Sequence, residues 1–405
     1  MEESVEFIRT GTVTAPEGFH AGAIRAGIKK DTGTKPDLGI LFSEAPCVAG
    51  AVFTTNRIKA APVVLTRRRL RYGKATAVVV NSGCANACTG MKGLRDAAKM
   101  AELAAEGLGV SPDDVVVAST GTIGRRLPMR RIQQAMDRIV LSRDGGHTLA
   151  RAIMTTDTVP KEAAVAVRAD DGAFVIGGIA KGSGMIHPNL ATLLGLISTD
   201  AALELDFLRT ALRKAVDVSF NMVSVDGDTS TNDMVLMMAN GLADGRPIDQ
   251  DSKRAEAFQQ ALERLCIFLA KRIAADGEGA SRLIEVTVKG AASVAQARRA
   301  ARTIISSSLV KTAVYGGDPN WGRIMAALGR SGAEVAEAKV DLYFGSICVA
   351  SGGRSVKFNR RDTRRFLHGK EVPITLQLNK GAASATAWGC DLTKDYVAIN
   401  SEYTT

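Results

Sequence analysis

The sequence predicts an α/β fold, a layered α/β sandwich with a C-terminal α+β part. Up to about residue 282, short apolar runs typical of buried strands alternate with segments of helical spacing. Beyond that point, the two-residue alternation of half-buried strands becomes more frequent. A chain of 405 residues, 46% hydrophobic and 23% charged, also has enough apolar material for two or three packed layers.

In the first part of the chain, residues 75–81 (ATAVVVN) form a continuous apolar run that predicts a buried strand. Residues 94–106 have helical spacing, and Gly107 is expected to end that helix. A second strand is predicted over 114–119. Pro128 suits the first turn of a helix that runs to about residue 141, because proline has no N–H group to leave unpaired there.

Two amphipathic helices are predicted after the middle of the chain, over 206–218 and 252–275. In the second helix, large apolar residues recur every three or four positions and therefore share one face. They are Phe258, Leu262, Leu265, Leu269 and Ile273. Gly277 is expected to end this helix.

The C-terminal part is predicted to be rich in strands. Alternation indicates strands over 283–289, 339–344, 347–350, 373–379 and 396–399, and helices are expected over 294–307 and 360–368. The chain has no internal repeat and no low-complexity linker. We therefore expect residues 283–405 to form an α+β domain that packs directly against the first domain.

Charge and aromatic content argue against a nucleic-acid partner. The net charge is +10, but only 5% of the residues are aromatic, whereas proteins that bind single strands stack bases on aromatic side chains. The basic clusters at 67–71, 125–131 and 360–365 are interpreted as solvated faces or as a field that steers anionic metabolites. We therefore expect small-molecule partners and no nucleic acid.

The sequence also argues against membrane, secreted and metal-binding proteins. The N-terminus, MEESVEFIRTG, starts with acidic residues, and no stretch of the chain approaches the ~18 apolar residues of a membrane span. The protein is therefore expected in the cytoplasm, where six cysteines without a CxxC pair predict free thiols. Four histidines without metal-ligand spacing predict no metal site.

The segment 181–201, KGSGMIHPNLATLLGLISTDA, contains the strongest candidate for chemistry. A threonine hydroxyl is a weak nucleophile until a base removes its proton, and its own α-amino group is such a base once the preceding peptide bond is cut. That amine has a reference pKa of about 7.7–8.0, so part of it is neutral near neutral pH. Ala191-Thr192 is therefore a candidate self-cleavage site. A buried strand that follows a turn is the alternative interpretation.

Three other features near or beyond this segment are interpreted as structural. The motif VDGDTSTND (225–233) resembles a calcium loop, but Thr231 and Met237 stand where such a loop needs glycine and glutamate. The motif GGDPNWGRI (316–324) lacks the spacing of a phosphate-binding glycine loop and predicts a turn. His187 is interpreted as a packing residue or as one that supports a site residue without contacting the substrate.

Seven further blocks occur in the order typical of one family. They are NSGCANACTG (81–90), STGTIG (119–124), MTTDTVPKE (154–162), VDGDTSTND (225–233), DGEGA (276–280), GGDPNWGRI (316–324) and NSEYTT (400–405). Over essentially its whole length the chain resembles the ornithine acetyltransferase family, the bifunctional glutamate N-acetyltransferases of arginine biosynthesis. It departs from the family pattern at Cys84, where asparagine is expected; because a thiol is a weak donor, a hydrogen-bonding role there is in doubt.

The resemblance implies a self-cleaving scaffold, cut between Ala191 and Thr192 into an alpha chain, 1–191, and a beta chain, 192–405. The beta chain completes the first domain with 192–282 and forms the second with 283–405, and two alpha and two beta chains are expected to assemble. The catalytic residues that the family motifs imply are Thr192 as nucleophile and Thr120 and Gly121 as the oxyanion site. The implied substrate-binding residues are Thr155, Lys181, Thr192, Glu278, Asn400 and Thr405.

The activity that the resemblance implies is acyl transfer without a metal or prosthetic group. Acetyl from N2-acetylornithine passes to Thr192 as an ester and then to glutamate. The sequence leaves open whether acetyl-CoA is a second acetyl donor. Two alternatives also remain open. In an N-terminal-nucleophile amidohydrolase or aminopeptidase on a related scaffold, water resolves the acyl-enzyme, whereas a metabolite-binding protein keeps the scaffold without turnover.

Overall fold

The structure is a computed structural model that describes residues 4–29, 33–169, 172–187 and 193–402. Two β-sheets organise its fold. The strands are β1 (Ser4–Phe7), β2 (Phe19–Ile24), β3 (Leu38–Phe53), β4 (Lys74–Cys84), β5 (Val115–Thr122), β6 (Lys161–Ala169), β7 (Gly172–Lys181), β8 (Leu194–Thr199), β9 (Val223–Ser224), β10 (Met234–Ala239), β11 (Leu283–Ala291), β12 (Asp341–Phe344), β13 (Ile347–Ser351), β14 (Arg354–Ser355), β15 (Glu371–Gln377) and β16 (Ala383–Cys390).

Within the described residues, the first sheet has nine strands. Their order is β1-β6-β7-β8-β10-β3-β4-β5, and β2 pairs with the same long strand, β3, that pairs with β4. Two neighbouring pairs are parallel, β4 with β5 and β8 with β10. Strand β4 is buried on both faces, with Val78 and Val80 in one apolar cluster and Val79 in another, which explains its continuous apolar sequence.

The second sheet is built mainly from the C-terminal part of the chain. Its strand order over the described residues is β14-β13-β12-β15-β11-β16-β9. The two-residue strand β9 comes from the middle of the chain and pairs in parallel with β16. This pairing ties the second sheet to the segment that follows the candidate cleavage site.

Helices cover the sheets and fill the space between them. They are α1 (Ala61–Arg69), α2 (Gly90–Leu108), α3 (Met129–Met136), α4 (Gly145–Ala152), α5 (Leu205–Val218), α6 (Ala255–Ala275), α7 (Val294–Ile305), α8 (Ser308–Tyr315), α9 (Trp321–Gly329), α10 (Arg360–Leu367) and α11 (Lys394–Glu402). Helix α6 packs on β6 and β7 of the first sheet and on β16 of the second. The layered α/β fold class is thus confirmed.

The predicted apolar face of the central helix α6 is buried along its whole length. The ring of Phe258 lies 5.5 Å from that of Phe174 on β7 and 5.6 Å from that of Phe207 on α5, measured between centroids. Burying a large apolar side chain contributes about 1.5–3 kcal/mol. The apolar face of α6, predicted from spacing alone, therefore packs between the layers of the fold.

The strand predicted over 396–399 is wrong, because these residues lie in helix α11. Four alternating residues are too few to separate a two-residue period from a helical one. The hydroxyl of Thr393 accepts a hydrogen bond from the backbone N–H of Tyr396 at 3.2 Å, which supports the first turn. Val397 is exposed, so its side chain gives no reason for a strand either.

Several predicted boundaries shift by a few residues. Helix α2 continues past Gly107 to Leu108, and Gly109 caps it with a left-handed backbone (φ 70°). Helix α3 ends at Met136 instead of running to about residue 141, with Pro128 just before its first turn. Helix α6 starts at residue 255, and the strand predicted from residue 339 begins at residue 341, after a single 3₁₀ turn.

No helix in the described part of the chain combines the length and the apolar character that crossing a membrane requires. All six cysteines lie within the described residues and are free thiols, as predicted.

Candidate active site

Six of the predicted site residues surround one cavity of about 110 Å³, which we call the site cavity. They are Thr120, Gly121, Thr155, Lys181, Glu278 and Asn400. These residues come from separate elements: the end of β5, the loop before β6, the end of β7, the loop after α6, and α11. Residues separated by as many as 280 positions in sequence therefore converge on one volume.

Thr120 and Gly121 are positioned by the parallel pairing of β4 and β5, in which Gly121 lies opposite Gly83. The backbone of Gly121 has φ 125°, a conformation that side chains with a Cβ rarely adopt. A Cβ atom at this position would also lie 2.5 Å from the carbonyl carbon of Gly83. Glycine is therefore required at position 121, where the backbone of β5 passes close to that of β4.

Polar side chains near the ends of β4 and β5 hold backbone carbonyl groups in place. The side-chain amide of Asn232 donates to the carbonyl oxygens of Ala85 (2.7 Å) and Ser119 (2.9 Å). The hydroxyl of Ser119 in turn donates to Oδ1 of Asn81 at 2.6 Å. Asn232 thus ties the carbonyl that precedes Thr120 to the chain just after β4.

Cys84, the departure from the family pattern, is buried on β4 beside this turn. Its Sγ donates to the carbonyl oxygen of Arg125 at 3.2 Å. Burial raises the pKa of the thiol, so it stays protonated. A cysteine at this position thus still donates a hydrogen bond, to a backbone carbonyl.

Lys181 is the last residue of β7, and its side chain is almost completely buried. Burial lowers its pKa, while Asp157, with Oδ2 4.0 Å from the lysine Nζ, favours the charged form. The carboxylate of Asp157 also accepts hydrogen bonds from the backbone N–H groups of Thr155 (3.0 Å) and Gly182 (2.7 Å). The predicted residues Thr155 and Lys181 are therefore held by the same aspartate.

Sequence reasoning missed the ion-pair network beneath these residues. Nζ of the buried Lys161 lies 2.6 Å from Oδ1 of Asp157 and also donates to Asp276. Burial alone would raise the pKa of Asp157, but the charges of Lys181 and Lys161 outweigh it and lower that pKa to about 2. One lysine thus joins Asp157 to Asp276, which lies two residues before Glu278.

Glu278 and Asn400 form the opposite side of the site cavity. The side-chain amide of Asn400, on α11, donates to Oε2 of Glu278 at 2.8 Å, and the backbone N–H of Glu278 donates to the carbonyl oxygen of Ser183 at 2.9 Å. A Cβ atom on Gly184 would lie 2.3 Å from the Glu278 carboxylate. Gly184 is therefore the residue that leaves room for this carboxylate.

The described wall of the site cavity carries one cation, Lys181, and two carboxylates, those of Asp233 and Glu278. These three residues are only 8%, 3% and 9% exposed. A buried charge needs a partner of opposite sign or hydrogen bonds. A ligand with both a carboxylate and an amino group supplies both partners, which matches a zwitterionic amino acid.

Ala191, Thr192 and Thr405 lie outside the described residues, so their predicted roles stay predictions. Three described residues near the candidate cleavage site have defined surroundings. Leu193 lines the site cavity, and the backbone N–H groups of Met185 and Ile186 donate to the carboxylate of Asp226. Burial raises the pKa of Asp226 to about 6.

His187 lines a different cavity, and its Nδ1 lies 3.2 Å from Oγ of Ser224. Burial lowers its pKa, and the nearby charge of Arg302 lowers it further.

The sequence contained one signal for the residues that the prediction missed: they lie within the blocks that resemble the family. Asp157 and Lys161 belong to MTTDTVPKE, Asp276 to DGEGA, and Asp226 and Asn232 to VDGDTSTND. Sequence alone could not show that charges from the first two of these blocks pair with each other.

Comparison with known proteins identifies the family. The ArgJ family profile matches residues 20–405. An arginine biosynthesis bifunctional protein ArgJ from Dehalococcoides mccartyi is 51% identical over 405 residues, which are the whole of both chains. The protein of that description from Symbiobacterium thermophilum is 54% identical over 397 residues, 98% of this chain and 99% of the relative.

A crystal structure of the ArgJ protein from Bacillus halodurans is 43% identical, with a TM-score of 0.50, and covers 51% of this chain and 97% of the solved one. The resemblance predicted from the motifs is confirmed. The chain belongs to the ArgJ family.

Proposed function

We propose that this protein is a glutamate N-acetyltransferase of arginine biosynthesis that takes acetyl from N2-acetylornithine through an acetyl ester on Thr192. Relatives at 51% and 54% identity are described as bifunctional proteins of that pathway. The observation that carries the proposal is the convergence of Thr120, Gly121, Lys181 and Glu278 on the cavity that Leu193 lines.

In the first step of the proposed mechanism, the Thr192 hydroxyl attacks the carbonyl carbon of Ala191, and the peptide bond becomes an ester. Water then hydrolyses the ester, which leaves a carboxylate on Ala191 and a free α-amine on Thr192. This amine is the base that the mature nucleophile needs. Both new chains keep strands in the same sheet, because β7 before the cut pairs with β8 after it.

In acyl transfer, the α-amine accepts the proton of the Thr192 hydroxyl while the oxygen attacks the acetyl carbonyl of N2-acetylornithine. The hydroxyl of Thr120 and the N–H of Gly121 donate to the developing oxyanion, a kind of contact worth about 3–4 kcal/mol. The ammonium then protonates the leaving amine, and ornithine departs. The amine of glutamate attacks the ester, N-acetylglutamate forms, and Thr192 recovers its proton.

The charged residues bind the amino-acid part of each substrate. Lys181 pairs with the α-carboxylate, and Glu278, held by Asn400, pairs with an amino group. Thr155 and the C-terminal Thr405 complete the binding set. No step needs a metal or prosthetic group, and acetyl-CoA is proposed as a second acetyl donor.

Mass spectrometry tests the proposal directly. Wild-type protein should separate into chains 1–191 and 192–405, and acetylornithine should add one acetyl group to Thr192. Release of the acetyl group by glutamate supports the transferase, whereas release by water alone supports the amidohydrolase or aminopeptidase. Thr192→Ala should abolish cleavage and transfer, and Thr192→Ser, which keeps a hydroxyl, should retain part of both. An uncleaved Thr192→Ala protein with normal turnover would rule the mechanism out.

We also propose a cytoplasmic assembly of two alpha and two beta chains. Native mass spectrometry gives the stoichiometry, and an assay with acetyl-CoA in place of acetylornithine gives the number of donors. A mass of one alpha and one beta chain would contradict the tetramer.

A further inference from the structure

A second cavity, of about 520 Å³, is lined chiefly by arginines, and we call it the arginine cavity. Arg298, Arg299 and Arg302 come from helix α7, and Arg330 follows helix α9. His187 adds a wall from the segment that precedes the candidate cleavage site. The described residues that line this cavity include no aspartate or glutamate.

Helix α7 is built to present these arginines together. Its alanine and isoleucine face is buried, and it packs on β11 and β16 of the second sheet. Arg298 and Arg299 lie four and three residues before Arg302. Residues at these spacings share one side of a helix, so all three arginines lie on the face away from the sheet. Like charges at this spacing repel, and the carboxylate of Asp217 offsets part of this repulsion at Arg298 and Arg302.

The existing contacts leave donors available for such an anion. Nη1 of Arg298 lies 3.8 Å from the carboxylate of Asp217, and Nη1 of Arg299 donates to the carbonyl oxygen of Gly332 at 2.9 Å. A guanidinium has five N–H donors, so a contact through one nitrogen leaves others. Burial lowers the pKa of Arg302, and the neighbouring Arg298 lowers it further.

We infer that the arginine cavity is a binding site for a phosphate ester. Several planar guanidinium groups from two elements suit a multiply charged tetrahedral anion, whereas a single carboxylate needs one such group. The hydroxyl of Thr303 also lines the cavity, but it donates to the carbonyl oxygen of Arg299 at 2.8 Å, so the guanidinium groups supply the donors for the anion. A volume of about 520 Å³ has room for an organic part beside the phosphate group.

One short segment belongs to the walls of both cavities. Gly184 and Met185 line the site cavity, and His187 lines the arginine cavity. The phosphate ester has two sources, the nucleotide end of a coenzyme A thioester or a free phosphorylated metabolite. Only the first source depends on the proposed function, because it makes the arginine cavity a binding site for the second acetyl donor.

Calorimetry on the intact enzyme tests the site without turnover. Pyrophosphate and coenzyme A should bind the wild type, and acetate should not. Arg298→Gln/Arg302→Gln should weaken binding of both phosphorylated probes by about tenfold or more, as expected when charge-assisted hydrogen bonds are lost. Arg360→Gln/Arg361→Gln removes the same charge from the exposed start of helix α10 and should bind as the wild type does.

The exposed Arg330 provides a variant that does not disturb the packing of α7. Arg330→Gln should weaken pyrophosphate binding in the same direction, and circular dichroism should report an unchanged fold. Absence of binding by the wild type at millimolar pyrophosphate would overturn the site. Equal affinity of the wild type and the folded α7 variant would overturn it as well.

Steady-state kinetics then identifies the source. If the KM for acetyl-CoA rises in the α7 variant while that for acetylornithine is unchanged, the ligand is the coenzyme A thioester. The ligand is a free phosphorylated metabolite in either of two cases. In the first, the α7 variant loses pyrophosphate binding while both of its KM values are unchanged. In the second, the wild type does not use acetyl-CoA. If the wild type shows no acetyl transfer at all, the proposed function is contradicted, but the calorimetric evidence for the anion site still stands.

Discussion

The two walls of the site cavity are held by different forces. The neutral wall, residues 119–121 with Asn232, is fixed by pairing between adjacent strands and by amide hydrogen bonds. In the charged wall, Lys181 is held by buried ion pairs that reach Asp157, Lys161 and Asp276, and Glu278 accepts a hydrogen bond from Asn400. A geometry set by backbone tolerates changes of charge, whereas a geometry set by buried ions depends on each partner. We expect variants in the neutral wall to change the rate and variants in the charged wall to change binding or stability.

The largest expected effect is on stability, at Lys161. Lys161→Met leaves the carboxylates of Asp157 and Asp276 buried without their shared cation. Breaking a buried pair in this way costs about 3–5 kcal/mol of unfolding free energy. Urea denaturation measures the loss. Lys99→Met, which breaks an exposed pair with Glu102, should cost less than about 1 kcal/mol. Equal losses in the two variants would show that the buried network does not hold the charged wall.

The second effect is on the chemical step, at Thr120 in the neutral wall. Thr120→Ala should lower kcat by about tenfold to a thousandfold with little change in KM, because the lost hydrogen bond forms mainly in the transition state. Thr120→Ser should recover much of the rate. Steady-state kinetics with acetylornithine and glutamate gives both constants. A raised KM with normal kcat would place Thr120 in ground-state binding.

The third effect is a pH dependence of stability at Asp226, which holds the N–H groups of Met185 and Ile186. Burial raises its folded-state pKa from 3.8 to about 6, so the native state favours the protonated carboxyl. The stabilisation is present below about pH 4 and is lost as the pH rises to about 6, a change of about 3 kcal/mol. The difference in unfolding free energy between wild type and Asp226→Asn should follow this curve. A constant difference from pH 4 to pH 7 would contradict it.

The fourth effect is on binding, at Lys181 in the charged wall. Lys181→Met removes a charge that a substrate carboxylate meets in the ground and transition states alike. KM should therefore rise about tenfold to a hundredfold with kcat nearly unchanged. A fall in kcat at constant KM would remove the distinction between the two walls.

The smallest effect is on substrate binding, at the C-terminal residues beside Glu278. Deleting residues 400–405 removes the amide that donates to Glu278. The KM for acetylornithine should rise at least about tenfold, which corresponds to about 1.4 kcal/mol, while cleavage before Thr192 continues. Kinetics and a denaturing gel report the two outcomes. Wild-type kinetics in the truncated enzyme would place the tail outside the site.

Sequence reasoning predicted the central packing well because long periodic segments carry their own evidence. The stripe on α6 and the apolar run of β4 both follow from spacing. It missed the sixteen-residue strand β3, whose glycines, proline and charged residue interrupt the alternation. It also assigned a strand inside α11, where four residues could not distinguish the two periods.

The candidate site divides in a similar way. The motifs led to Thr120, Lys181, Glu278 and Asn400, which line one cavity. The pairing of Lys161 with Asp276 depends on tertiary contact across 115 residues. Spacing along the chain contains no information about such a contact.

The site cavity takes Thr120 from β5 and Asn400 from α11, so its two ends are synthesised far apart in time. At about 5–20 residues per second, a ribosome needs on the order of half a minute to add the chain between them. Throughout that interval the strand that carries Thr120 exists without the helix that carries Asn400. A nascent chain therefore cannot have the complete site, and the proposed activity begins only after residue 400 has left the ribosome and α11 has folded against Glu278.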